Sequence, residues 1–327
     1  MIHRICLACF TCLLVLPLSS MAGPISLWRA QHLDSTVYLL GSIHALTPAF
    51  YPLPAAMDNA FDAADRVVFE VDLQRVNDSA VVSLVRDKGL YPTGQYLDDH
   101  LSAETRELLS DYLLRQGEAH IEQEPGESQP LSLADIQQMR PWYLSLVLGM
   151  RELKTVGYDP ELGIDRHYFD RARAQGKPTG ALETAEAQIL LLATDTPDGQ
   201  DLGLRSTLTT VDNLKAELEQ LIVAWQTGDV DSMLTLSLAA DGDDPALDQQ
   251  FKRLIDDRNM QMLTHIQSYL ELSETTLVVV GALHMGGETG LLSLLRQDYV
   301  VTQIDDTQGL PTQDISPKSV TAESQPR

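Results

Sequence analysis

Cysteine is scarce in this sequence and is confined to its beginning. The 327 residues include 3 cysteines, Cys6, Cys9 and Cys12, and the rest of the chain has none. Without its first segment, the chain can form no disulfide, so its fold must be stabilised by the apolar core. It also lacks the thiol of a cysteine nucleophile and the thiolate ligands of a structural zinc site.

Positive charge is also scarce. The sequence has 23 lysine and arginine residues against 47 aspartate and glutamate residues, which gives a formal net charge of −24 at pH 7. Most of such a surface would repel the phosphates of a nucleic acid or an anionic bilayer. Because the sequence shows no basic patch either, we expect no nucleic-acid partner.

Long apolar runs are absent from the sequence after its first segment. Residues 1–22 contain the basic Arg4, an apolar run over Ile5–Leu18, and small residues at Ser20 and Ala22. This pattern predicts a secretory signal peptide that is cleaved near Ala22. The run is shorter than the roughly 20 apolar residues that span a bilayer. We therefore expect an exported protein, periplasmic or secreted, without a stable membrane anchor.

The rest of the chain combines short apolar strands with amphipathic helices, a pattern that predicts an α/β fold. The strand-like runs are Ile25–His32, Thr36–Gly41, Arg66–Val71, Pro178–Glu183, Leu277–Ala282 and Tyr299–Ile304. Helical spacing predicts helices after Pro54, through Leu108–Leu113, from Pro141, over Ile164–Gln175 and Ala185–Ala193, through Leu214–Trp225 and Leu247–Ile255, and over Thr289–Gln297.

This arrangement predicts a central, mostly buried sheet with strands from both chain ends, and a large helical middle region. We predict a single domain over residues 23–304 with a helical insertion, followed by a disordered tail at 305–327. No segment repeats at a period of 20–50 residues, which excludes a solenoid.

Two motifs of the same form end two of the predicted strands. Gly41-Ser-Ile-His44 closes the second strand and Gly281-Ala-Leu-His284 closes the fifth. In an open α/β sheet, ligands bind at the carboxyl ends of the strands, and glycine lets the backbone approach closely. The pair predicts that His44 and His284 meet at one site, with Gly41 and Gly281 supporting them. Taken singly, each histidine is equally compatible with a structural role.

Glu70 lies near the end of the apolar strand Arg66–Val71. A carboxylate in such a run must be ion-paired, hydrogen-bonded or metal-bound. Two imidazoles and a carboxylate suit a divalent metal such as Mn, Co or Zn, which generates hydroxide near neutral pH. His44, Glu70 and His284 are therefore candidate metal ligands, and Glu70 is either a ligand or the general base. A salt bridge from Glu70 to an arginine is the alternative.

Four further residues complete the candidate site. Asp165 begins a predicted helix and Glu183 joins a strand to a helix, so both are placed to orient the metal ligands, with helix capping and helix-dipole roles as alternatives. Arg258 is a candidate for holding substrate or stabilising developing negative charge, and Asn259 beside it is a candidate for substrate binding. The candidate catalytic residues are Glu70, Glu183 and Arg258.

Five stretches resemble the TraB/GumN family, which is related to the Tiki proteases. In chain order they are VYLLGSIHALTPAFYPLPAAMDNAFDAADRVVFEVDL, GIDRHYFDRARAQGKPTGALET, LIVAWQTGDVDSML, LIDDRNMQM and VVVGALHMGGETGLLSLLRQDYVV. They span nearly all of the chain that follows the predicted signal peptide. The resemblance matches His44 and His284 to the two Gly-x-x-His motifs of the family, Glu70 to its glutamate, and Glu183 to its Leu-Glu-Thr segment. Arg258 and Asn259 match its Arg-Asn pair.

The resemblance implies a fold shared with erythromycin-esterase-like and haem-binding ChaN-like proteins. Because Tiki relatives act as metal-dependent peptidases, we predict a divalent-metal-dependent hydrolase that acts on a peptide or a small molecule. Three alternatives remain open: a non-catalytic peptide- or haem-binding protein on the same fold, a metal-dependent esterase-like enzyme, and an accessory protein whose site has decayed. The sequence indicates no particular oligomeric state.

Overall fold

The computed structural model describes residues 23–121, 131–240 and 244–306. Within these ranges the strands are β1 (Pro24–His32), β2 (Ser35–Ser42), β3 (Arg66–Val71), β4 (Thr179–Glu183), β5 (Thr275–Gly281) and β6 (Val300–Asp305). The helices are α1 (Ala55–Ala63), α2 (Ser79–Gly89), α3 (Ala103–Ile121), α4 (Leu133–Ile136), α5 (Pro141–Thr155), α6 (Ile164–Gln175), α7 (Ala185–Ala193), α8 (Pro197–Thr210), α9 (Leu214–Gln226), α10 (Val230–Ala240), α11 (Pro245–Leu254), α12 (Asp256–Leu270) and α13 (Leu291–Leu295). The predicted signal peptide and the predicted tail beyond residue 306 lie outside the described residues.

The strands form one mixed sheet in the order β4-β3-β5-β2-β1-β6. Strands β4, β3, β5 and β2 are parallel to one another, whereas β1 is antiparallel to both β2 and β6. Strands β1 and β2 come from the beginning of the chain and β5 and β6 from its end. The predicted α/β class is therefore confirmed, with a central sheet built from both chain ends and a mostly helical middle region.

The middle of the sheet is covered on both faces. Every residue of β2 and of β5 is buried, as is typical of parallel strands between helices. Helices α1, α6, α9 and α12 pack against the sheet. Ser42 of β2 lies opposite Gly281 of β5 in the register of the pair, so the two strands end level with each other.

The helical middle region contains a second apolar cluster. Leu109 and Tyr112 of α3, Leu144 and Leu148 of α5, and Leu204 of α8 belong to it and are buried. None of the described helices combines the length and the apolar character that crossing a bilayer requires.

One predicted helix is shorter than expected. We predicted a helix over Thr289–Gln297, but α13 begins at Leu291. Gly290 packs closely against the carbonyl groups of Met285 and Gly286, and its N–H donates to the carbonyl of Gly287 at 3.3 Å. The chain therefore turns through the glycine-rich stretch before the helix starts.

Candidate functional site

The four parallel strands end at one edge of the sheet. His44 follows the end of β2, and His284 lies in a short 3₁₀ turn directly after β5. Glu70 is the penultimate residue of β3, and Glu183 is the last residue of β4. The strand order therefore places the two histidines beside the two acids, at the edge where the sequence predicted a site.

Asp165 fixes the imidazole of His44. Its Oδ2 lies 2.8 Å from His44 Nδ1, and its Oδ1 accepts a hydrogen bond from Ser42 Oγ at 2.8 Å. Asp165 lies in the first turn of α6, whose N-cap is Gly163, so its carboxylate contacts the histidine and does not cap the helix. The negative charge of Asp165 and this hydrogen bond raise the pKa of His44 to about 9. The His44 side chain is 65% exposed.

Asn259 fixes His284 in a similar way. Its Oδ1 lies 2.7 Å from His284 Nδ1, and its Nδ2 donates to the carbonyl of Thr289 at 2.9 Å. The hydrogen bond to the Thr289 carbonyl identifies which atom of the Asn259 amide is the nitrogen. The other atom, Oδ1, can only accept, so neutral His284 carries its proton on Nδ1 and donates it to Oδ1. Burial lowers the pKa of His284 to about 4.

Asn259, which the sequence suggested for substrate binding, has its side chain directed at His284 in this geometry. Its side chain is fully buried, and both amide atoms are hydrogen-bonded within the protein. A group without exposed surface cannot contact a substrate, so Asn259 is a positioning residue for His284. The sequence placed it correctly beside the site but did not reveal where its side chain points.

Gly281 lies between the three predicted metal ligands. A Cβ atom at this position would be 3.3 Å from His44 Nε2, 3.3 Å from Glu70 Oε2 and 3.6 Å from His284 Cδ2. The Gly281 N–H donates to Glu70 Oε2 at 3.1 Å, and His284 Nε2 is 4.0 Å from the same oxygen. Any side chain at Gly281 would therefore fill the space on which these groups converge.

Arg258 forms ion pairs with both acids. Its Nη2 donates to Glu70 Oε1 and, at 2.7 Å, to Glu183 Oε2, while its Nε donates to both Glu183 oxygens. All three side chains are largely buried. Burial raises the pKa of Glu70, but the charges of His284, His44 and Arg258 outweigh it and lower that pKa to about 2. The salt-bridge alternative for Glu70 is thus present in the structure, with Oε2 facing the histidines.

Sequence reasoning missed two residues that contact this group. Gln188 of α7 donates from Nε2 to Glu70 Oε1 at 2.9 Å and to Glu183 Oε2 at 3.2 Å. Ser42, which binds Asp165, lies inside the first Gly-x-x-His motif. Two sequence features could have indicated these residues: Ser42 lies within the motif, and Gln188 lies in the helix that follows Glu183.

The side chains suit a divalent metal in their donor chemistry. Each imidazole uses Nδ1 to bind an oxygen of Asp165 or Asn259, so Nε2 is the nitrogen that a metal would take, and such oxygen partners are usual behind metal-bound histidines. Because the pKa of His44 is raised to about 9, a metal would displace a proton from its Nε2. Glu70 adds a carboxylate oxygen that faces both rings. In the described part of the chain, however, no three His, Cys, Asp or Glu side chains are arranged as a metal-binding group. The site therefore suits a metal in the type and orientation of its donor atoms, but the described side chains are not spaced as a complete set of ligands.

The buried His284 predicts a loss of stability in acid. Above pH 6.5 it is neutral in the folded and the unfolded chain. Below 6.5 the unfolded histidine is protonated, whereas the folded one is protonated only near its pKa of about 4. Protons then favour unfolding, so this group lowers the free energy of unfolding by about 3 kcal/mol between pH 6.5 and 4.

Urea unfolding in the presence of a chelator, measured from about pH 7 to about pH 4, tests this prediction. The pKa of His44 is raised to about 9, so its contribution to the free energy of unfolding is constant below pH 6.5 and decreases only as the pH rises above that value. His44 therefore does not affect the decrease between pH 6.5 and 4. We expect the decrease to be smaller by about 3 kcal/mol in His284→Asn and unchanged in His265→Asn, which alters an exposed histidine of α12. Equal pH dependence in His284→Asn and the wild type would contradict it.

Known proteins are similar in sequence over the region that contains this site. Residues 26–303 match the model of the TraB/PrgY/gumN family. The chain is 28% identical over 264 residues to the uncharacterized protein YbaP of Escherichia coli (strain K12), a match that covers 79% of this chain and 87% of YbaP. YbaP of Shigella flexneri gives the same values, and no solved structure matches significantly. Because the family match covers most of the chain and includes every candidate site residue, this protein belongs to the TraB/PrgY/gumN family, as its motifs predicted.

Proposed function

We propose that this protein is a divalent-metal-dependent hydrolase that cleaves peptides. One observation carries the proposal: two imidazoles, each held at Nδ1 by an oxygen, converge with Glu70 Oε2 around Gly281. His44 and His284, through Nε2, and Glu70, through Oε2, would hold the metal. Mn, Co or Zn would supply a Lewis acid and a hydroxide near neutral pH.

Glu70 and Arg258 have separate tasks in this proposal. Glu70 is ionised at neutral pH because its pKa is lowered to about 2, so its carboxylate is available as a metal ligand. A general base works best with a pKa near the operating pH, so the lowered pKa favours the ligand role over the base role. Arg258 donates to Glu70, to Glu183 and, from Nη1, to the carbonyl of Leu254 at 2.9 Å. With its donors engaged in this way, Arg258 first of all holds the two acids in place. Glu183 supports Glu70 through the arginine they share.

The exposure of the histidines indicates how substrate reaches the site. The His44 side chain is 65% exposed, whereas that of His284 is 4% exposed. Substrate would therefore approach from the side of His44, while His284 and Asn259 form the closed inner wall. A catalytic metal site needs one coordination position that no protein ligand fills, where water and substrate can bind. The exposed side of His44 would give access to such a position.

The test is cleavage of a pool of synthetic peptides by the purified chain without residues 1–22, read by mass spectrometry. We expect no cleavage after chelation, and recovery when Mn, Co or Zn is added back. His44→Ala should abolish cleavage, while His265→Ala, at an exposed position of α12, should not. Cleavage that survives chelation, equal cleavage by His44→Ala and the wild type, or no cleavage with any of the three metals would contradict the proposal.

A further inference from the structure

A cavity lies among the helices of the middle region, next to the candidate site. Its volume is about 150 Å³. Its apolar wall is formed by Trp142 and Leu146 of α5, Leu191 and Leu192 of α7, and Leu254 of α11. An engineered apolar cavity of about 150 Å³ binds benzene. The cavity is therefore large enough for one bulky apolar side chain.

Two contacts join this cavity to the candidate site. Gln188, which binds Glu70 and Glu183, lies one helical turn before Leu191 and Leu192 on α7. The carbonyl of Leu254 accepts the hydrogen bond from Arg258 Nη1. Both contacts reach Glu70 from the side of Arg258 and Gln188, so the cavity is adjacent to the ion-paired group that holds Glu70.

Helix α7 is apolar but poorly covered. Its residues 189–192 are Ile-Leu-Leu-Leu, yet none of these four side chains is buried, and Leu190 is 38% exposed. Leu146 on the neighbouring α5 is 45% exposed. Since folding normally covers such a run, apolar side chains left open at a concave site indicate an apolar ligand.

The cavity also borders a buried donor that lacks a partner. Arg253 lines the cavity and donates from Nη2 to Asp195 at 2.9 Å. Asp195 also accepts from Gln250 at 2.7 Å, so its charge is well compensated. Arg253 Nε is buried, and no acceptor in the described ranges binds it. The Arg253 side chain as a whole is 38% exposed, so the cavity has a charged side chain beside its apolar wall.

We infer that this cavity is a subsite of the candidate active site and binds the side chain of a leucine or phenylalanine of a peptide substrate. The inference rests on the proposed function and narrows its substrate. Peptides should therefore be cut close to a bulky apolar side chain.

A matched pair of glycine substitutions tests the subsite. Gly203 of α8 lines the cavity, and a Cβ there would have Gln250 Oε1 as its neighbour at an ordinary 3.7 Å. Gly203→Leu should fill the cavity without backbone strain. Gly117→Leu in α3 is the control, because a Cβ there has no neighbour within 4 Å and the position does not border the cavity. Circular dichroism and thermal unfolding establish that both variants fold.

Binding is measured first, by NMR on leucine-methyl-labelled protein, with three probes. These are the N-acetyl amides of phenylalanine, leucine and alanine. We expect the first two to bind at least about tenfold more tightly than the third, since burying a large apolar side chain is worth at least that factor. Gly203→Leu should weaken them at least about tenfold, and Gly117→Leu less than about twofold. Equal binding of the three probes, or unchanged binding by Gly203→Leu, would overturn the inference.

Cleavage of the peptide pool then separates this inference from the proposed function. Cleavage next to leucine and phenylalanine, lost in Gly203→Leu and kept in Gly117→Leu, supports both. Probe binding as expected, without metal-dependent cleavage, contradicts the proposed function and leaves the cavity as a binding site. Metal-dependent cleavage without this preference, unchanged in Gly203→Leu, contradicts the subsite alone.

Discussion

Replacing Glu70 by glutamine is expected to reduce kcat/KM for peptide cleavage by about 10³-fold. Glutamine keeps the size of the side chain and an oxygen that can accept from Arg258. It removes the negative charge that faces His44 and His284 and that a metal ligand or a general base requires. The measurement is the steady-state rate on the best-cleaved peptide, with the metal that supports the highest activity.

Glu107→Gln provides the control for this change. Glu107 lies on α3 and is exposed, so its variant should keep wild-type kcat/KM. The Glu70→Gln variant should still fold, because Arg258 remains paired with Glu183. Activity of Glu70→Gln within about threefold of the wild type would show that the carboxylate takes no part in the reaction.

Replacing Arg258 by methionine should have the largest effect on stability. The side chain of Arg258 is 14% exposed, and those of Glu70 and Glu183 are 12% and 7% exposed. Methionine would leave two buried carboxylates without their shared counter-charge. Breaking a buried pair in this way costs about 3–5 kcal/mol. Urea unfolding at neutral pH measures the loss.

Two further variants make this test specific. Arg205→Met removes a pair with Glu104, whose side chain is 67% exposed, and should cost at most about 1 kcal/mol. Arg258→Met combined with Glu183→Gln should recover part of the stability, because one uncompensated charge is removed. A loss in Arg258→Met no larger than in Arg205→Met would contradict the role of Arg258 as the counter-charge of the two acids.

The sequence predicted the edge of the sheet well because strands carry a strong local signal. Apolar runs that end at Gly41 and Gly281 identified two buried strands, and parallel pairing then brought their histidines together. The same reasoning placed Glu70 and Glu183 at the ends of the neighbouring strands. The two alternatives for Glu70, ion pair or metal ligand, could not be separated, because the choice depends on where Arg258 lies in space.

The helical contributions were harder to predict. Arg258 and Asn259 follow the predicted helix over Leu247–Ile255, which corresponds to α11. The sequence did not predict the next helix, α12, whose first turn contains both residues. The contact between Asn259 and His284 depends on the rotation of α12 against β5, which no local pattern encodes. Helices α2, α8 and α10 were not predicted either. The cavity could not be predicted from the sequence, because its walls come from separate helices that only tertiary packing brings together.

We expect His44, Glu70 and His284 to hold one divalent metal ion. The most direct test is metal content per chain, measured by native mass spectrometry after dialysis against Mn, Co or Zn. We expect one bound ion in the wild type and in His265→Ala, and none in His44→Ala or His284→Ala. His44→Ala is the decisive variant, because its side chain is 65% exposed and its loss should leave the fold intact. A wild-type chain without bound metal, or one ion retained in His44→Ala and His284→Ala, would contradict the account.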